Sequence, residues 1–214
     1  MLENKKNLPL LLLVASLVFA PISSFSKEVN MDNEITATEP REFAENLSNK
    51  IIDIINSKHE EDKISKVLMD IMNDNVDTDW MAKFVMGRYY NRMDDELKQK
   101  YLDLYKRYLF YSYLPRIRGY SGEKMEVMSV TEKSGDQFKV KTAIKSDKAK
   151  GDILVDYRLR KEGKSFKVID MIGEGVSLIT TQRSDFAAPL SQRGPKYFVS
   201  RLEKKVKQLE NKSS

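Results

Sequence analysis

Between residues 124 and 172 the apolar side chains recur at every second position, in runs at 124–131, 137–145, 151–160 and 165–172. A period of two is the signature of a strand with one covered face. The links between the runs are short: Ser134-Gly135-Asp136, the stretch 146–151, and Glu162-Gly163-Lys164. Links of that length join antiparallel neighbours, so the four runs predict a four-stranded meander. Its faces can be told apart. Phe138, Val140 and Ile144 oppose Lys139, Lys141 and Lys145, and Ile153, Val155, Tyr157 and Leu159 oppose Asp152, Asp156, Arg158 and Arg160. One face is wet and the other needs a cover.

The cover is helical. Phe43, Leu47, Ile51, Ile54 and Ile55 make one apolar stripe, and Ile64, Val67, Leu68, Ile71 and Met72 a second. Asp77 or Thr78 can cap a short third helix with Trp80, Phe84 and Val85, ending at Gly87. Asp94 can cap a long fourth helix that carries five tyrosines, at 101, 105, 108, 111 and 113. In "YLFYSYLP", 108–115, large apolar and aromatic residues go around the helix instead of down one face. More than one side of it must therefore be covered. Pro115 lacks an amide hydrogen and is expected to kink or end this helix. After Gly175 the helical period returns with Leu178, Ile179, Phe186 and Leu190, is stopped by Gly194-Pro195, and resumes with Phe198, Leu202, Val206 and Leu209. The fold class is α+β: an antiparallel sheet with helices packed on its apolar face.

The first 26 residues stand apart. Lys5 and Lys6 precede an apolar run from Leu8 to Ala20, and Ser24-Phe25-Ser26 offers small residues for cleavage. This is the pattern of a secretory signal peptide, and the run is too short to span a bilayer, which takes about 20 residues. An uncleaved anchor is the competing reading. Residues 27–40 are polar and are expected to form a flexible tail, leaving one domain over 41–210. The chain has no Cys and one His. An exported domain of this size stabilised without disulfides relies on its apolar core. Thiol catalysis and thiolate metal sites are excluded, and a single His excludes His-pair sites. His59, in "NSKHEEDK", is expected at the surface. The net charge of +5 is spread along the chain with no dense block, which is weak support for nucleic acid. It suits an anionic membrane surface or an acidic partner equally.

The stretch "VIDMIGEGVSLITTQRSDF", 168–186, carries the remaining candidates for chemistry. Asp170 and Glu174 could form a carboxylate pair, and Ser177 with Arg183 could bind an anion. Yet "GEGVS" does not follow the G-x-S-x-G nucleophile elbow, no His is near to act as base, and the glycines lack dinucleotide spacing. The other reading is a wall of an apolar cavity between sheet and helices. An empty void of that kind is destabilising, so it would select an apolar ligand. A closed core would use the same residues, and periodicity does not separate the two.

From Trp80 to the last helix the chain resembles the MlaC-type periplasmic phospholipid-binding proteins, the toluene-tolerance auxiliary family of ABC transport. The resemblance is carried by "FVMGRYY" (84–90), "KYLDLYKRYLFYSY" (100–113), "VDYRL" (155–159) and "KVIDMIGEGVSLITTQRSDF" (167–186), with a D-x-x-x-E-G-V-S signature that is fairly specific. The chain departs from the family in its N-terminal tail and at Pro115. What the resemblance implies is a soluble periplasmic carrier with a hydrophobic pocket between sheet and helices. The pocket holds phospholipid acyl chains. The carrier shuttles lipid between an outer-membrane lipoprotein complex and an inner-membrane ABC transporter, touching membranes transiently and through those partners. Lining positions carried over are Tyr113, Ile153 and Val176. Alternation on the same strand adds Val155 and Tyr157, and Leu114, Ile117, Ile172 and Leu178 complete the expected lining. No cofactor, metal or nucleic acid is expected, the lipid being cargo. Two alternatives are an enzyme on a cone-shaped α+β scaffold using Asp170 or Glu174, and a periplasmic chaperone.

Burying two acyl chains of about 15 methylenes each is worth roughly 24 kcal/mol gross. Leaving a bilayer costs the lipid a similar amount, so the net preference can sit near zero, as a shuttle requires. The chain has no Walker motif, so any energy input comes from a partner. Export and processing are checked by N-terminal sequencing of the protein recovered from the periplasm, which should begin at or next to Lys27.

Overall fold

The computed structural model describes residues 39–119, 124–145 and 152–213. The signal segment, residues 27–38 of the expected tail and the link 146–151 lie outside the described residues. The chain forms α1 (Pro40–Ile55), α2 (Glu61–Asn75), α3 (Thr78–Met86), a 3-10 helix (Gly87–Arg92) and α4 (Asp95–Arg118). The strands β1 (Lys124–Ser134), β2 (Gln137–Lys145), β3 (Ile153–Glu162), β4 (Ser165–Gly173) and β5 (Val176–Ser177) follow, and α5 (Leu178–Ser213) ends the chain. Pro40, counted with the tail from sequence, is the first residue of α1 and is buried. No helix among the described residues is long and apolar enough to cross a membrane.

The sheet is an antiparallel meander in the order β1-β2-β3-β4-β5. Four strands match the expectation. The fifth was missed because it is two residues long and too short for any period. Gly135 and Gly163 take positive φ in the β1–β2 and β3–β4 turns, which L side chains resist. The Asp77 side chain accepts from the Trp80 amide at 2.9 Å and the Asp94 side chain from the Leu97 amide at 2.8 Å, the two caps expected for α3 and α4.

Two cores result. The first lies between the sheet and α1, α2 and the end of α4, and includes Phe43, Leu47, Ile71, Phe110, Leu114, Val140, Leu159 and Phe166. The second is all helical, with Met81, Val85, Tyr101, Leu104, Tyr105, Ile179, Phe186, Leu190, Phe198 and Val206. α4 supplies both: Tyr101 to Leu109 face the second core, while Phe110 and Leu114 face the first. This is why its aromatic residues wrap the helix.

Pro115 does not end α4, which runs on to Arg118. The proline opens the last turn, so only one backbone bond, to the carbonyl of Tyr111, is given up. Leu114 is fully buried, and Arg118 bonds the Ser65 hydroxyl at 2.5 Å and the Ser213 carbonyl at 3.2 Å, which holds that turn in place. Gly194-Pro195 breaks α5 into two arms that meet without a linker. Gly194 has φ 73° and ψ 174°, a region that only glycine occupies readily.

β4 carries a one-residue bulge. Leu159 pairs with Val168, but Arg158 pairs with Asp170, so Ile169 is extra. Beyond it, Gly173 pairs with Val176 across Glu174 (φ 49°) and Gly175 (φ 81°). Two successive positive φ values make the tight hairpin turn that suits strand twist. The hairpin delivers Ser177 to the start of α5. Ser177 donates to the Asp170 carboxylate at 2.7 Å and accepts from the Thr180 amide at 3.2 Å, while the other Asp170 oxygen accepts from the Ile179 amide at 3.2 Å. Arg158 approaches the same carboxylate at 3.8 Å. Asp170 is fully buried, so these bonds replace its hydration.

Two outcomes follow from the packing. Asp170→Ala removes a helix cap and strands the buried Ile179 amide, and should lower the unfolding free energy by about 2 kcal/mol in a urea titration. The second concerns pH. Tyr101 donates to the Ala82 carbonyl at 2.9 Å and Tyr105 to Gln182 at 2.6 Å. Burial pushes both phenols well above the usual tyrosine range, with neighbouring phenols adding to the effect. The neutral forms therefore favour the folded state. Their contribution is intact below the unfolded phenol pKa of about 10 and falls as pH rises above it, by roughly 1.4 kcal/mol per pH unit for each. Alkaline unfolding of Tyr105→Phe should be shallower than that of the parent by about that slope.

Candidate functional site

The open end of the sheet holds the site. Cα pairing aligns Val127, Thr142, Val155, Gly173 and Val176 in one row across all five strands. The next row towards the end is Met125, Ile144 and Ile153, and the row behind is Val140, Tyr157 and Met171. Paired residues of an antiparallel ladder project to the same face, so all three rows share the inner one. Burial falls across it: Val140 and Ile144 on β2 are buried, whereas Ile153 on β3 is 41% exposed, Met171 on β4 36% and Val176 on β5 61%. Thr142 is buried in the middle row and donates its hydroxyl to the Val155 carbonyl.

The expected lining residues divide into four groups. Ile153, Val155, Tyr157 and Val176 are brought to this face. Leu114 and Ile117, on the last turns of α4, pack in the first core together with Tyr157. Tyr113 and Leu178 pack against the second core, where the ring of Tyr113 carries the Arg116 guanidinium at 5.4 Å and burial pushes its phenol above the usual range. Ile172 departs from the expectation. It pairs with Asp156 and Ser177 and lies on the opposite face of the sheet. The bulge is the cause: one extra residue reverses the inside-outside parity of everything after it. Strict alternation from Phe166 and Val168 would turn Asp170 and Ile172 inward. The bulge turns Met171 and Gly173 inward instead. Met171 was missed for the same reason, and Met125 and Ile144 could have been found from the hairpin register.

The candidate acid-base pair is otherwise engaged. Asp170 caps α5. The Glu174 amide donates to the Leu154 carbonyl at 3.3 Å, and its carboxylate accepts from the Leu154 amide at 3.4 Å, extending the β3–β4 ladder by one residue. Asp170 is fully buried, so its carboxylate is closed to solvent. Arg183 donates to the Phe84 carbonyl at 2.8 Å and lies over the Phe84 ring, so it braces α3 against α5. His59 is exposed in the turn after α1. Among the described residues no three His, Asp or Glu side chains converge where a metal ion could sit.

Comparison with known proteins is consistent with this geometry. The chain is similar to a Ralstonia solanacearum protein solved as a phospholipid-binding protein in complex with a phospholipid. That likeness has a TM-score of 0.72 at 18% identity and covers 79% of this chain and 98% of the other, which shows the fold. It is also similar to the intermembrane phospholipid transport system binding protein MlaC of Haemophilus influenzae, at 24% identity over 125 residues. That alignment spans 57% of this chain and 58% of the relative. The family model for the MlaC protein matches residues 45–204. That match takes in well over half of the sequence, and the chain belongs to the MlaC family.

Proposed function

We propose that this protein is a periplasmic carrier that binds phospholipid by its acyl chains. The cargo passes between an outer-membrane lipoprotein complex and an inner-membrane ABC transporter. The observation that carries the reading is the exposed apolar side of the sheet's inner face, on β3, β4 and β5. A closed core would leave no large apolar side chains in water on that side. Here Ile153, Met171 and Val176 stand exposed in register with Val155 and Tyr157, continuous with a buried core. A contiguous exposed apolar face of this kind marks a ligand or partner site.

The relatives support the same cargo, since one is named for intermembrane phospholipid transport and the other was solved with phospholipid bound. The protein acts by binding and release. Its two candidate carboxylates serve the helix cap and the sheet ladder, so no acid-base pair is assigned. Acyl chains would lie along the Ile153–Val155–Tyr157 line of β3, between Val176 on β5 and the end of α4. The headgroup would stay at the exposed end, where the apolar rows stop.

The test is lipid extraction from protein expressed with its own export signal. Mass spectrometry should find phospholipid at about one mole or more per mole of protein. Ile153→Asp and Val176→Asp place a charge on the acyl path, where desolvating it is unfavourable by several kcal/mol. Both positions are exposed, so both variants should fold normally by circular dichroism and lose at least about nine-tenths of the bound lipid. Parent protein with no lipid, or variants with a normal load, would overturn the proposal.

A further inference from the structure

The second arm of α5, residues 195–213, has a cationic outer face. Its apolar stripe, Phe198, Val199, Leu202 and Val206, is buried in the helical core. Its two acids point along one flank and are taken up by neighbours: Glu203 pairs with Lys100 at 2.9 Å, and Glu210 with Arg107 at 2.7 Å. What remains is cationic. With about 100° of rotation per residue, Lys196, Arg201, Lys204, Lys205, Lys207 and Lys212 fall within roughly 180° of the helix circumference, and no carboxylate shares that arc. All six are exposed. Among the described residues, Lys207 is the one of the six with an ion-pair contact, at 3.6 Å to Glu203, and it is itself 68% exposed. Tyr197 rises among them with 43% exposure, under the guanidinium of Arg193 at 5.4 Å.

We propose that this face is a direct docking surface for an anionic phospholipid bilayer. Charge complementarity selects an anionic partner, and the form of the patch selects a lipid surface. The cations sit on long flexible stems spread over about 24 Å of helix. Such a diffuse array matches headgroups that diffuse to meet it, while an acidic protein presents fixed carboxylates. Tyrosine with an apolar ring and a polar tip suits the headgroup layer. The arm rests on the surface and does not insert, because its apolar stripe is already used in the core. The interaction is electrostatic, falls off within about 10 Å at moderate salt, and is reversible, as a carrier that must leave again requires. The inference goes beyond cargo binding and is independent of it: a carrier could hold lipid and dock only on proteins.

The test uses purified full-length protein and vesicles of phosphatidylcholine with about 30% phosphatidylglycerol, against pure phosphatidylcholine, in flotation at about 50 mM and about 300 mM salt. The protein should float with the anionic vesicles at low salt, lose most of that binding at high salt, and ignore the neutral ones. Each cation near an anionic surface contributes about fivefold to partitioning. The triple reversal Arg201→Glu, Lys204→Glu, Lys205→Glu should therefore weaken binding by about 100-fold or more. A milder pair, Lys204→Gln and Lys205→Gln, should weaken it by about 25-fold and guards against misfolding of the triple variant. Lys133→Glu, Lys161→Glu and Lys164→Glu change the net charge equally at the β1–β2 and β3–β4 turns and should leave binding near the parent level. Parent protein that ignores anionic vesicles, or equal losses from both triple reversals, would overturn the proposal. So would retention on immobilised polyglutamate that the 201/204/205 reversal abolishes, if vesicles are not bound, because the face would then serve an acidic protein. Lipid carried through purification is measured on the same variants. Its presence without vesicle binding sinks the docking surface alone, and its absence with vesicle binding sinks the cargo reading alone.

Discussion

The buried carboxylate of Asp170 joins the two halves of this molecule. It sits in the sheet yet caps the helix that closes the second core. A charged group with no exposed surface is tolerated only when protein donors replace water. Here the Ser177 hydroxyl and the Ile179 amide do so, with Arg158 at the edge of ion-pair range. The arrangement requires the bulge at Ile169, which turns Asp170 away from the inner face, and the Glu174-Gly175 turn, which brings Ser177 back over it. Two left-handed residues, one extra residue and one carboxylate thereby aim α5 across α4. The D-x-x-x-E-G-V-S signature is thus a structural joint whose spacing follows from a bulged strand, a two-residue turn and a cap.

The joint has a consequence for the lipid-facing surface. Reversing parity beyond the bulge puts Gly173 in the middle row of the inner face, flanked by Val155 and Val176. Glycine there leaves space where a side chain would stand. The stretch thought to choose between active-site rim and cavity wall does neither in full. Its acids hold the fold, and its apolar ends, Met171 and Val176, contribute to the exposed inner face.

Much was legible from periodicity. The meander, its faces, the caps at Asp77 and Asp94, and the break at Gly194-Pro195 all came from local chemistry that the tertiary structure kept. The crowding of "YLFYSYLP" correctly implied cover on more than one side, since Phe110 and Leu114 meet one core while Tyr108 and Leu109 meet the other. Local rules failed in two places. Pro115 did not stop the helix, because one lost backbone bond is small beside the burial of Leu114 and the anchoring of Arg118. Ile172 was misplaced because a bulge leaves no mark in a pattern of apolar residues.

The arm of α5 shows the same limit for charge. A net charge of +5 spread along the chain pointed to no surface. Packing sorted the ions: the acids of the arm were drawn to cations on α4, and six cations were left outward together. The sequence by itself determined the order of helices and strands, the faces of β2 and β3 and the family, because these depend on near neighbours and short repeats. Only the tertiary structure decided which face Asp170, Met171 and Ile172 occupy and where the unneutralised cations gather. Strand register and ion pairing are set by residues distant in sequence, and no local pattern encodes them.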